Sequence, residues 1–117
     1  MLTQRQAALQ GKITDQLAEV ARQEGVTPEF IRDGVAKGTI CIPANINHKN
    51  LIPRGVGEGL STKVNANIGT SSAFPDPAPE LDKLKAAIDA GADAVMDLST
   101  GNNIDASRKA IIEHSTV

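Results

Sequence analysis

The sequence predicts an α/β protein with a helical region over residues 1–61 followed by two strand–helix units over residues 62–117. Three observations predict it. Helix start and stop residues recur three times before residue 40. From Thr62 onward the order becomes strand, helix, strand, helix with short connections, the sign of a parallel sheet under a helix layer. The apolar content is 40% but the aromatic content only 2%, so any core must rest on Leu, Ile, Val and Ala.

The elements follow in order. Thr3 and Gln6 have capping-box spacing, and Gly11 can end the first helix. Thr14 opens the second, whose Leu17, Val20 and Ala21 share one face before Gly25 closes it. "GVTPEF" supplies Thr27 as cap, Pro28 as first helical residue and Glu29 beside the positive end of the helix dipole. Phe30, Ile31 and Val35 make the apolar side of that helix, and Gly38 ends it. "TICI" (39–42) is a short strand that stops at Pro43, with Cys41 read as a small core residue. Residues 43–61 keep no period and read as a long ordered loop. "TKVNANIG" is then a strand, "PELDKLKAAIDAGA" a helix, "DAVMDLST" a second strand and "NIDASRKAIIEHS" a helix capped by Asn103. Leu81, Leu84 and Ile88 form one helix's inner face; Ile104, Ile111 and Ile112 form the other's. Two parallel strands leave both edges unpaired, a poor domain by themselves. A third strand is expected to follow "EHSTV", so the polypeptide is expected to be the front part of a longer protein.

Composition narrows the function. The net charge is −2, with acids and bases interspersed, which gives no reason to expect nucleic-acid or anionic-membrane binding. No apolar run approaches the roughly 20 residues that span a bilayer. The start, "MLTQRQAALQGK", lacks a signal-peptide apolar core, so a cytoplasmic protein is the default expectation. The single Cys41 excludes an intrachain disulfide and a multi-cysteine cluster site within this chain.

Side chains alternate along a strand. Val64, Ala66 and Ile68 are therefore expected to face packed helices, and Asn65, Asn67 and Gly69 the other way. The asparagines suit a ligand crevice, or equally bonds to backbone at a strand end. "GTSS" (69–72) and "STGN" (99–102) lie at the carboxyl ends of the two strands, the edge where parallel α/β folds bind ligands. Their N–H groups can meet an anion or simply close turns. "GVGEG" (55–59) fails as a dinucleotide motif, because no strand precedes it and no helix follows. His114 stands at a helix end, where a cation is favoured. His48 in the asparagine-rich loop can bind a ligand or metal but reads first as structural; Met96 mid-strand reads first as core. No nucleophile–base pair and no metal-ligand spacing appears.

Three stretches, "IPANINHKN" (42–50), "TKVNANIGTSS" (62–72) and "AGADAVMDLSTG" (90–101), resemble the phosphomethylpyrimidine synthase family, the thiamine-pyrimidine synthases. "GVTPEFIRDGVAKGTI" fits that family's amino-terminal region, and the resemblance covers essentially the whole chain. It implies a radical S-adenosylmethionine lyase that rearranges 5-aminoimidazole ribonucleotide into 4-amino-5-hydroxymethyl-2-methylpyrimidine phosphate for thiamine biosynthesis. The implied catalytic domain is a (β/α)8 barrel, of which residues 62–117 would be the first two units, incomplete in this chain. Implied cofactors are a four-iron four-sulfur cluster on a later C-x-x-C-x4-C triplet, S-adenosylmethionine, and zinc on later histidines. The implied assembly is a homodimer, and the fragment alone is expected to be inactive and to bind none of these cofactors.

Carried over residue by residue, the family's substrate-binding asparagine matches Asn67 and its substrate-contacting methionine matches Met96. Asn65 would order the surroundings of Asn67. No catalytic, cofactor-binding or metal-binding residue carries over. A related family, 5-hydroxybenzimidazole synthase of anaerobic cobamide biosynthesis, is similar and starts from the same ribonucleotide. "STGNNIDASRKAII" departs from the pyrimidine-synthase pattern, in which a second glycine and an acidic residue follow "STG". A reading from another class is a non-catalytic oligomerisation module.

Overall fold

The structure, a computed structural model, describes residues 2–117. It contains α1 (Gln4–Leu9), α2 (Asp15–Glu24), α3 (Pro28–Lys37), β1 (Ile40–Cys41), β2 (Val56–Gly57), β3 (Asn65–Ile68), α4 (Ala78–Asp89), β4 (Ala94–Asp97) and α5 (Ile104–His114). The chain forms two compact units: residues 1–44 with 53–62, and residues 45–52 with 63–117. The segment 45–52 thus goes with the strand–helix unit.

In the first unit the caps stand where their residue types place them. The Thr3 hydroxyl accepts from the Gln6 N–H at 3.1 Å, and the Gln6 side chain accepts from the Thr3 N–H at 2.9 Å, a closed capping box. Thr14 and Thr27 cap α2 and α3 by accepting from Leu17 N–H and Phe30 N–H, each at 3.2 Å. Gly25 and Gly38 end those helices with φ of 68° and 86°, a backbone region where a Cβ is disfavoured. Leu17, Val20 and Ala21 of α2, Ile31 and Val35 of α3, and Ile40 and Ile42 form one buried cluster. Phe30 is half-exposed instead of joining it, its ring lying over Gly59.

Two expectations fail here. Cys41 is exposed, because side chains alternate here and the inward positions are taken by Ile40 of β1 and by Ile42 just after it. The stretch 43–61, read as one long ordered loop, also contains a short strand. Val56–Gly57 pairs antiparallel with β1, Ile40 opposite Gly57 and Cys41 opposite Val56. A Cβ on Gly57 would stand 2.2 Å from the Thr39 carbonyl oxygen, so the close pairing requires glycine.

In the second unit β3 and β4 run parallel, in register Asn65–Ala94, Ala66–Val95, Asn67–Met96 and Ile68–Asp97. Ile68, Leu84 of α4 and Ile111 of α5 are buried together, with Leu81, Ile88 and Val95 packed on them. One sheet face is therefore covered by helices, as the alternation predicts. Val64 and Ile112 depart from it, 60% and 47% exposed. Val64 precedes β3, at the edge where its carbonyl accepts from Asp93 and Ala94, and Ile112 lies beside Ile111 on the outward side of α5.

Segment 45–52 is anchored to the end of α5. Asn45 turns the chain by accepting from Asn47 N–H at 2.9 Å. Asn50 Nδ2 donates to the Glu113 carbonyl at 3.2 Å, and Ile52 N–H donates to the Thr116 carbonyl at 2.8 Å. The Glu113 carbonyl, in the last turn of α5 where intrahelical donors run out, thus finds a partner 63 residues away in sequence.

Candidate functional site

The face of the β3–β4 pair away from the helices carries Asn65, Asn67, Ala94 and Met96, all exposed, with half-exposed Leu98 continuing the row. Asn67 and Met96 are register partners, so the two residues singled out from sequence stand side by side on adjacent strands. The strand spacing puts their backbones about 4.8 Å apart. Asn65 Nδ2 donates to Asn67 Oδ1 at 2.8 Å, the two side chains lying on one face two residues apart. This bond turns the Asn67 amide so that its own NH2 is directed away from Asn65. A hydrogen-bond donor beside a flexible thioether suits a flat polar heterocycle better than hydrocarbon. Met96 is therefore a surface residue of this unit, not a core one.

The carboxyl ends of the two strands are tied together. Gly69 N–H donates to Glu80 Oε2 at 2.6 Å, and the other Glu80 oxygen meets Lys83 Nζ at 2.7 Å. Thr70 N–H donates to Ser99 Oγ at 3.0 Å, and Thr100 N–H to the Thr70 carbonyl at 2.9 Å. Ser99 Oγ donates to Asp97 Oδ1 at 2.5 Å and stands 3.1 Å from Ser107 Oγ, which is fully buried on α5. A hydroxyl has one proton and two lone pairs. With Asp97, Thr70 and Ser107 around it, Ser99 is saturated. The N–H groups of Gly69, Thr70, Ser71, Ser99 and Thr100 are all spent on internal partners. Of the two roles the sequence left open for "GTSS" and "STGN", these five groups serve the second, as locks of the two strand–helix connections. The expected side-chain cap of α5 is not made: Asn103 occupies the cap position without a side-chain bond.

Both histidines are held by carbonyls within the second unit. His48 Nε2 lies 2.8 Å from the Ser115 carbonyl, and His114 Nδ1 2.8 Å from that of Ala110. Among the described residues no group of three or more His, Cys, Asp or Glu side chains comes together. Sequence reading missed Glu80. Its signal was a proline at the position where a helix normally offers its cap N–H.

Residues 3–117 match the radical SAM ThiC family. The chain belongs to that family. Among its curated relatives, the phosphomethylpyrimidine synthase of Desulforamulus reducens is 62% identical over 116 residues, which are 99% of this chain and 27% of that protein. The phosphomethylpyrimidine synthase of Caldanaerobacter subterraneus is 61% identical over 116 residues, with the same coverage. That of a Thermus thermophilus strain is 56% identical over 117 residues, again covering 99% of this chain and 27% of its own length. The chain therefore spans about a quarter of the length of these ThiC-family relatives, and its resemblance to them extends over both units.

Proposed function

We propose that this chain supplies part of the nucleotide site of a phosphomethylpyrimidine synthase. The whole enzyme would convert 5-aminoimidazole ribonucleotide to 4-amino-5-hydroxymethyl-2-methylpyrimidine phosphate in the cytoplasm as a homodimer. The observation that carries this reading is the pairing of Asn67 with Met96 on the open sheet face, ordered by Asn65. Asn67 would donate a hydrogen bond to the substrate, and Met96 would lie against its apolar surface. The β3–α4–β4–α5 order is what two successive units of a (β/α)8 barrel require, and the open face would then be part of the barrel lumen. The residues of this chain do not fit the cofactors of radical chemistry. An open four-iron cluster takes three thiolates, and the chain has the single Cys41. The cluster, S-adenosylmethionine and zinc would be held by other parts of the whole protein.

The test is titration of the full-length enzyme with 5-aminoimidazole ribonucleotide. Asn67→Ala is expected to weaken binding by about two- to tenfold, the worth of one hydrogen bond, and more than Asn65→Ala does. Equal affinity of Asn67→Ala and wild type would remove the assignment. Mass analysis of the turnover product decides between the pyrimidine and 5-hydroxybenzimidazole, a choice that the "STGNN" departure by itself does not make.

A further inference from the structure

We infer that Glu80 is a positioning residue for the nucleotide site, holding the Gly69 peptide at the exit of β3 and through it Asn67 against Met96. The inference rests on the nucleotide reading above. Glu80 is 2% exposed, at the third position of α4. In a capping box that position folds back onto the N–H of the cap residue. Gln6 does so at α1, accepting from Thr3 N–H at 2.9 Å. At α4 the cap residue is Pro77, which has no N–H. The carboxylate is thereby released from its usual partner and reaches out of its own helix to Gly69 N–H at 2.6 Å.

Helix capping does not explain the buried charge. Asp76 Oδ1 already accepts from Ala78 N–H at 2.9 Å at the start of α4. Lys83, the cation on the other Glu80 oxygen, has a side chain 57% exposed and open to solvent. Burying a carboxylate is costly unless its oxygens are matched, and the backbone group that Glu80 matches among the described residues is the Gly69 amide.

Gly69 is a sensitive point to hold. A Cβ there would lie 2.6 Å from Leu98 C and Ser99 N, so the exit of β3 presses on the backbone of β4. Thr70, next in line, is bound to Ser99. Asn67 lies two residues before Gly69 on the same strand side. A displacement of the Gly69 peptide is therefore passed along one peptide unit to the register of Asn67 with Met96.

The experiment compares full-length enzyme with Glu80→Gln, Glu80→Asp, Glu80→Ala, Asn67→Ala and the Asn67→Ala/Glu80→Ala double variant. Affinity for 5-aminoimidazole ribonucleotide is read by calorimetry, and hydrogen exchange of residues 65–71 by mass spectrometry. Glutamine keeps an oxygen for Gly69 and is expected to bind within about twofold of wild type. Aspartate is one methylene too short and alanine has no acceptor; both are expected to weaken binding by about threefold or more and to speed exchange at 65–71. The double variant is expected to bind no worse than Asn67→Ala alone, since Glu80 acts through Asn67. Unchanged affinity in Glu80→Asp while Asn67→Ala is weakened would overturn the positioning role and leave the nucleotide reading standing. Losses that multiply in the double variant would overturn it as well. Unchanged affinity in Asn67→Ala would overturn both. Should Glu80→Ala fail to fold, the aspartate and glutamine pair carries the comparison.

Discussion

Replacing Gly69 by alanine tests the strand junction most sharply. Gly69 has φ of 154°, where L side chains are rare, and its added Cβ would stand 2.6 Å from two backbone atoms, Leu98 C and Ser99 N. Neither can move freely. Leu98 N–H donates to the Ile68 carbonyl at 2.7 Å, and Ser99 N–H to Asp97 Oδ1 at 2.9 Å. Strained backbone costs on the order of 1–3 kcal/mol and overpacking about 1–3 kcal/mol more. A local loss of roughly 2–6 kcal/mol corresponds to about 30- to 20,000-fold less protection from hydrogen exchange. The assay is exchange of residues 65–70 and 94–99 in the full-length enzyme. Gly91→Ala is the control, because Gly91 has φ of 89° but nothing within 4 Å of its would-be Cβ. It isolates the backbone term, about 1 kcal/mol. Equal protection in Gly69→Ala and wild type, or equal losses in the two variants, would refute the steric reasoning.

Other consequences are simpler. Leu17 is fully buried in the first unit's core, so Leu17→Ala is expected to cost about 2–5 kcal/mol, read as a lower denaturant midpoint for that unit. Thr14 caps α2 and also donates to Gln4 Oε1 at 2.6 Å, so Thr14→Ala is expected to cost about 1 kcal/mol by the same measurement. Hydrogen bonds from Arg22, and next from Gln23, hold the Glu19 carboxyl at about 2 against a usual 4.5. Its folded value is depressed, so its contribution is full above about 4.5 and is lost as pH falls toward about 2. Glu19→Gln is expected to flatten the pH dependence of stability within that window, and an unchanged slope would show that the ion pair contributes nothing. The chain by itself is expected to reconstitute no four-iron cluster; iron counting with electron paramagnetic resonance would reveal one.

What was legible in the sequence was local. Thr3, Thr14 and Thr27 act through N–H groups three residues away, and Gly25 and Gly38 through their own φ, so a one-dimensional reading reaches them. The alternation in "KVNANIG" likewise separated Ile68, which is buried, from Asn65 and Asn67, which are not. What was not legible depends on partners far along the chain. Val56–Gly57 becomes a strand only because β1 lies beside it; two residues carry no period. His48 and Asn50 bond to carbonyls at Ser115 and Glu113, and no spacing rule announces that. Cys41 misled because "TICI", with three apolar residues in a row, resembles a buried strand when only Ile40 and Ile42 are buried. Of the site, the pair Asn67 and Met96 came from family resemblance, and Glu80 needed the geometry.

The open face itself argues for a mixed occupant. If a further apolar layer covered Asn65, Asn67 and Met96, the Asn65–Asn67 bond would satisfy one donor of Asn65 and one lone pair of Asn67. The Asn67 NH2 would remain unmatched, at about 1–3 kcal/mol for a buried donor. If water alone faced the patch, Met96 and Leu98 would stay uncovered, 51% and 53% exposed and two residues apart in one extended run. Neither solvent nor hydrocarbon suits both halves. A ring with an acceptor at its edge and an apolar face would meet Asn67 and Met96 together. The locked strand exits add to this: Ser99 is saturated by its three neighbours, and Gly69 is held from two sides. On the proposed reading such a frame would limit the freedom of Asn67 ahead of a ligand, and a preorganised donor loses less on binding than a mobile one.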